Sequence, residues 1–263
     1  DRNFNTTGLT AKYETGELFK GDEYLGNIFL NGKSPSNINE AGVKTTFGAP
    51  LKAPKRNYLF LFKSSDNGKT WSEPKDITGQ VLIKADGTFL GVAPGVGITT
   101  HKGRIVMPLY VDRKETVSIY SIDNGETWHR MAGHPYAQNI DEWQMVQAPS
   151  GAVIALGRAK RYGKTPMSIS YDDGKTWIKA GKTNLYAPKC QKSIISIGDY
   201  VFWSQPNSKK RENGVITVGK FYKSHGKVAG INWYSETEIN KGFFAYSCLT
   251  RVDDEHIGIL YES

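Results

Sequence analysis

One eight-residue phrase occurs three times in the chain and constrains its fold more than any other feature. The copies are Ser64-Ser65-Asp66-Asn67-Gly68-Lys69-Thr70-Trp71, Ser121-Ile122-Asp123-Asn124-Gly125-Glu126-Thr127-Trp128 and Ser170-Tyr171-Asp172-Asp173-Gly174-Lys175-Thr176-Trp177. All obey S-x-D-x-G-x-T-W without a substitution. The chemistry is that of a hairpin turn. The Asp carboxylate accepts from backbone N–H groups ahead of it, the Gly supplies a positive φ, and Thr and Trp begin the returning strand. The Trp offers a large apolar plate to lock the turn onto a sheet.

β-rich runs at 57–62, 116–120 and 166–169 precede the three copies, and others recur at 104–107, 152–156, 193–197 and 257–260. Helical periodicity is nearly absent, and 28 Gly with 11 Pro punctuate the runs. The Asp positions lie 57 and 49 residues apart. Repeats of about 40–50 residues, each with about four strands, read as the blades of a β-propeller. The spacing predicts one box per blade at a similar point in each sheet, in an all-β protein. The boxes themselves are expected to be structural.

Composition narrows the partners. Hydrophobic residues at 38% and charged residues at 23% argue against disorder. No apolar run approaches the roughly 20 residues of a membrane-spanning helix. The start, Asp1-Arg2-Asn3-Phe4-Asn5, lacks the pattern of a signal peptide. Lys plus Arg number 34 against 26 Asp plus Glu, a net charge of +8. Such an excess suits nucleic acid, an anionic surface or an acidic small molecule. The charges are interspersed, however, and the one compact run, Lys209-Lys210-Arg211, is too short for a nucleic-acid footprint. Cys190 and Cys248 show no metal spacing and are either buried thiols or one bridge. The five histidines are scattered, so neither a catalytic metal nor any other cofactor is expected.

The boxes resemble the Asp boxes of sialidases (neuraminidases). The resemblance sharpens at Lys20–Ile28, Phe89–Ile98, Ser204-Gln205-Pro206-Asn207 with Arg211-Glu212-Asn213-Gly214, and Gly242–Thr250. Together these look like the large secreted bacterial sialidases over nearly the whole chain. The resemblance implies a six-bladed β-propeller of which 1–263 carries most but not all blades, a secreted or cell-surface location, and sialylated glycans as partners.

It also implies a site. Sialic acid bears a carboxylate beside its anomeric carbon, and guanidinium forks match that group. Arg158 and Arg211 fall where the family places two of its three clamp arginines. A neutral tyrosine serves as nucleophile, because a carboxylate would be repelled by the substrate. Tyr246 matches that nucleophile, and Glu142 matches the base that takes its proton. Glu142 lies 16 residues before Arg158, compatible with the start of one strand and the end of the next. Tyr110 is a candidate pocket-lining residue, with core packing the alternative. Lys189 stands where related enzymes carry an aromatic residue, which would alter the pocket rim.

Two family features are not found: an Arg-Ile-Pro segment with the first clamp arginine, and the acid/base aspartate that follows it. Arg2 and Arg56 lack the Ile-Pro. The expectation is a C-terminal portion of a longer polypeptide, partnered by an N-terminal fragment with the first blade and any lectin-like domain. The activity implied is a retaining exo-α-sialidase, with intramolecular transfer giving an anhydro sugar as a variant outcome. The alternatives are a propeller that binds sialic acid without turnover, and an Asp-box scaffold for protein partners.

Overall fold

The computed structural model describes residues 57–263 apart from 84–85, 87–88, 112–114 and 136–139, together with the backbone of five short strands before residue 57. The chain divides into two compact units, Asp1–Asn57 and Tyr58–Ser263. In the first, Leu9–Lys12, Glu17–Lys20 and Glu23–Asn27 form an antiparallel meander, and Phe29–Leu30 pairs with Leu51–Lys52. Arg2 and Arg56, the arginines weighed for the missing clamp position, lie outside the described residues.

The second unit is a succession of antiparallel sheets. A short pair, Phe60–Leu61 with Lys75–Asp76, comes first. The first large sheet orders Leu90–Val92, Ile105–Val111, Glu115–Ser121 and His129–Arg130 side by side, with Ile98–Thr99 also paired to Ile105–Val111. The second sheet runs Trp143–Gln147, Val153–Gly157, Gly163–Ser170 and Ile178–Ala187. The third runs Ser193–Ile197, Tyr200–Pro206, Glu212–Ser224 and Lys227–Phe243, and a hairpin of Ser247–Arg251 with Ile257–Tyr261 follows. In the second and third sheets each strand pairs with the next in sequence. The only α-helical turn among the described residues is Thr78–Val81.

Strands alternate their side chains between two faces, and here both faces are covered. In Val153–Gly157 every residue is buried. Val153 and Ala155 join a cluster with Val106, Met131, Trp143 and Met145 toward the first sheet. Ile154 and Leu156 join another with Ile194, Val201, Trp203 and Ile231 toward the third. A strand shared between two cores reads as a continuous apolar run, which is why it was visible in the sequence. The longest strands, Glu212–Ser224 and Lys227–Phe243, carry no such signal, because polar residues such as Lys220, Glu236 and Glu238 occupy their exposed outer parts.

All three boxes adopt one geometry. In each, the Ser hydroxyl donates to the Asp carboxylate and accepts the Gly N–H, while the carboxylate accepts both N–H and O–H of the Thr. Positive φ extends to two residues, Asn67 and Gly68 (57° and 82°), Asn124 and Gly125 (58° and 82°), and Asp173 and Gly174 (59° and 85°). Such successive left-handed residues suit the twist of a hairpin. The second and third boxes each join the third and fourth strands of their sheets, as the spacing predicts. The tryptophans do not act alike. Trp128 is 4% exposed and part of a core cluster, whereas Trp71 is 63% exposed.

Candidate active site

The boxes occupy one end of the sheets; the candidate side chains gather at the other. Trp143 pairs with Gly157, so Glu142, just before the first strand of the second sheet, lies beside Arg158, just after the second strand. The Arg158 N–H donates to the Glu142 carbonyl at 2.8 Å and fixes that adjacency. Arg211 sits at the equivalent place in the third sheet, between its second and third strands. Tyr246 precedes the first strand of the final hairpin as Glu142 precedes that of the second sheet.

Three of these side chains share hydrogen bonds. The Tyr246 hydroxyl donates to Glu142 Oε1 at 2.5 Å, and Arg158 Nη1 donates to Tyr246 Oη at 3.1 Å and also to Glu142 Oε2. Glu142 is 7% exposed. Arg158 Nε stands 3.8 Å from Asp141 Oδ1. Burial works against the Arg158 charge, but Glu142 and Asp141 outweigh it and raise its pKa. Desolvation first, and then the Glu142 bond and charge, push the Tyr246 phenol up to about 12, against the opposing pull of Arg158. The phenol is therefore protonated at neutral pH and hydrogen-bonded to its only close carboxylate among the described residues.

Arg211 completes the group from the far side, its guanidinium 5.5 Å from the centroid of the Tyr246 ring. Its Nη2 reaches the Lys189 carbonyl at 3.5 Å, and its own carbonyl accepts the Phe244 N–H at 2.9 Å. The Asn213-Gly214 pair has a local cause. A Cβ on Gly214 would lie 2.1 Å from the Phe244 ring, so only glycine lets this segment pass beneath it. Phe244 in turn stacks on Tyr261 at 4.9 Å, and Glu262 N–H donates to the Tyr246 carbonyl at 3.0 Å. Tyr110 sits on Ile105–Val111 with its ring 5.3 Å from that of Phe89, packed against the cluster of Ala93, Val106 and Trp143. Both cysteines are free thiols, Cys190 buried.

A buried polar layer lies beneath these side chains. Gln191 donates to the Ser247 carbonyl and accepts the Ser247 N–H, both at 2.9 Å, next to Tyr246. Gln144 donates to the Pro94 carbonyl at 2.9 Å and accepts the Ile194 N–H at 3.2 Å, and Ser193 accepts the Leu249 N–H at 2.9 Å. These buried amides and hydroxyls tie the first strands of successive sheets together. Lys192 lies in the same layer, 4% exposed. Lone Gln and Lys residues have no sequence pattern, although these three lie two or three residues from Glu142 or Lys189.

Four-stranded sheets whose first strands stand side by side, with the candidate side chains collected at one end of those strands, match the blades of a β-propeller. The BNR repeat-like domain family matches residues 41–259. The chain belongs to that family, and its fold is the six-bladed β-propeller of the sialidases to which it is similar, of which it carries most but not all blades. It is 34% identical over 224 residues to a sialidase of Bacteroides fragilis, covering 78% of this chain and 39% of the relative. Among solved structures, the Hadza microbial sialidase Hz136 superposes with a TM-score of 0.68 at 32% identity over 78% of this chain and 42% of that one. The intramolecular trans-sialidase of Ruminococcus gnavus, in complex with oseltamivir carboxylate, gives 0.72 at 26% identity over 97% and 57%. The chain thus spans less than two thirds of each of these relatives.

Proposed function

We propose that this chain carries the catalytic tyrosine, its base and two carboxylate-binding arginines of a retaining exo-α-sialidase. The observation behind this reading is the 2.5 Å hydrogen bond from Tyr246 to Glu142. A phenol at that separation can pass its proton to the carboxylate as its oxygen attacks the anomeric carbon, so no free phenolate is required. The product of that step is a glycosyl–tyrosine with a neutral Glu142, and Arg158 keeps both oxygens in place throughout. The guanidiniums of Arg158 and Arg211 hold the substrate carboxylate, and Tyr110 is a further candidate for the pocket wall. The leaving oxygen requires an acid, which this reading assigns to an aspartate of the full-length protein. Release by water yields free sialic acid, and release by the substrate's own hydroxyl yields an anhydro sugar. In this reading the protein works outside a bacterial cell, on sialylated glycans.

The test is turnover of a fluorogenic sialoside by the full-length protein, with Tyr246→Phe as control and NMR to identify the released sugar. Fluorophore release lost in the variant supports the reading. Binding of sialic acid with no release by the wild-type protein overturns it in favour of a lectin-like propeller.

A further inference from the structure

Glu142, Lys192 and Tyr246 hold one register position in three successive units: each immediately precedes the first strand of the second sheet, the third sheet and the final hairpin. The proposed chemistry uses the outer two. Lys192, between them, is 4% exposed and has no carboxylate within ion-pair distance among the described residues. Its Nζ donates to Thr165 Oγ1 of the second sheet at 3.2 Å and lies 5.8 Å from the Trp203 ring centroid of the third. With Glu142, Arg158, Gln191 and Trp203 it lines a cavity of about 10 Å³, room for about one water. A lysine buried without a counter-ion is costly, and such groups concentrate where a protein uses their charge.

We infer that Lys192 is a positioning residue of the site: its ammonium, wedged between the second and third sheets behind Glu142 and Arg158, adds a fixed positive charge to the floor of a pocket that takes an anionic sugar. The inference rests on the sialidase reading. It deepens that reading by giving carboxylate affinity a further cation besides the arginines, one acting through its field at the pocket floor.

Burial pushes the Lys192 ammonium down to about 8, with Arg158 acting the same way and Cys190 and Glu142 opposing. Tyr246 is raised to about 12, burial pushes the Cys190 thiol up, and the Arg158 pKa is raised. Loss of the Lys192 charge is then expected between neutral and alkaline pH.

The test is calorimetric binding of free N-acetylneuraminic acid to the full-length protein at pH 7 and pH 9.5. The wild-type affinity should fall about tenfold across that interval, the scale of one unit charge lost in a partly buried site. Lys192→Met should bind weakly at both pH values with no such fall, and Lys192→Arg should bind tightly at both. A fall in Lys192→Met equal to that of the wild type overturns the inference. So does a variant that differs only in melting temperature. Should Lys192→Met fail to fold, Thr165→Val removes the acceptor of Nζ and should move the fall to lower pH; an unmoved transition overturns the inference. No binding by the wild-type protein at either pH overturns the sialidase reading, and this inference with it.

Discussion

At one end of the second sheet, Asp172 and Thr176 close a turn with hydrogen bonds that span four residues. At the other end, Glu142, Arg158 and Tyr246 meet across separations of 16, 88 and 104 residues. The same four strands carry the box, Glu142 and Arg158, while Tyr246 comes from the final hairpin. The box end is assembled from groups that are neighbours in the chain, so its geometry repeats in all three copies whatever lies around it. The site end exists only when two further units stack in register on the second sheet. Local contacts form cheaply, while contacts of long sequence separation must first overcome loop-closure entropy. The box end is therefore set by its own hairpin, and the site end reports on whether the whole assembly is correct.

The largest expected effect belongs to the site end. Tyr246→Phe removes the hydroxyl that bonds to Glu142 and Arg158 and should cut kcat/KM on a fluorogenic sialoside roughly 10³-fold or more, within the range of general-base and nucleophile losses. The melting temperature should change little, since the ring remains. Full activity in this variant would break the proposed division between the two ends.

Arg158→Met should come next, measured as stability. It leaves the Glu142 carboxylate buried without its cation, a loss of about 3–5 kcal/mol for a broken buried pair. Urea denaturation is the measurement, and Arg158→Met with Glu142→Gln should recover part of the loss by removing the stranded charge. A double variant no more stable than the single one would mean that the pair is not coupled.

Within the box end, the tryptophans sharpen the comparison. Trp128→Ala should cost about 3–5 kcal/mol, as for other buried aromatics, because Trp128 packs with Leu90, Leu109 and Val117. Trp71→Ala should stay within about 0.5 kcal/mol, its ring being 63% exposed. Equal losses in denaturation would show that the box itself, and not its burial, sets the contribution.

The smallest effect concerns pH. The Thr70 hydroxyl and N–H, with Ser64, lower the Asp66 carboxyl from its ordinary 3.8 to about 2. A folded value below the unfolded one makes the stabilisation complete above pH 4, and it is lost as pH falls toward 2. Asp66→Asn should therefore lose less stability than the wild type between pH 4 and pH 2, with sialoside turnover at neutral pH unchanged. An identical acid limb in both proteins would exclude this carboxylate as a contributor.

How much was legible in advance follows the same divide. The boxes, the apolar runs of the inner strands and the β class could be read from residue order, because turn chemistry and two-face burial leave their marks within a few positions. Glu142, Arg158, Arg211 and Tyr246 could be named only through resemblance to sialidases, as a lone Tyr or Glu has no signature of its own. Lys192, Gln144 and Gln191 escaped notice. Their roles depend on which strand stands beside theirs, and no local pattern encodes that.

By itself, then, the order of residues determined the turns, the strand alternation and the repeating unit, each a matter of backbone preference and of hydrophobicity over short spans. Only the tertiary structure decided that a phenol, a carboxylate and two guanidinium groups face one another, and that an ammonium lies beneath them. Their proximity is set by the packing of successive sheets, and the energies that perturb their protons arise from the burial and charge brought by that packing.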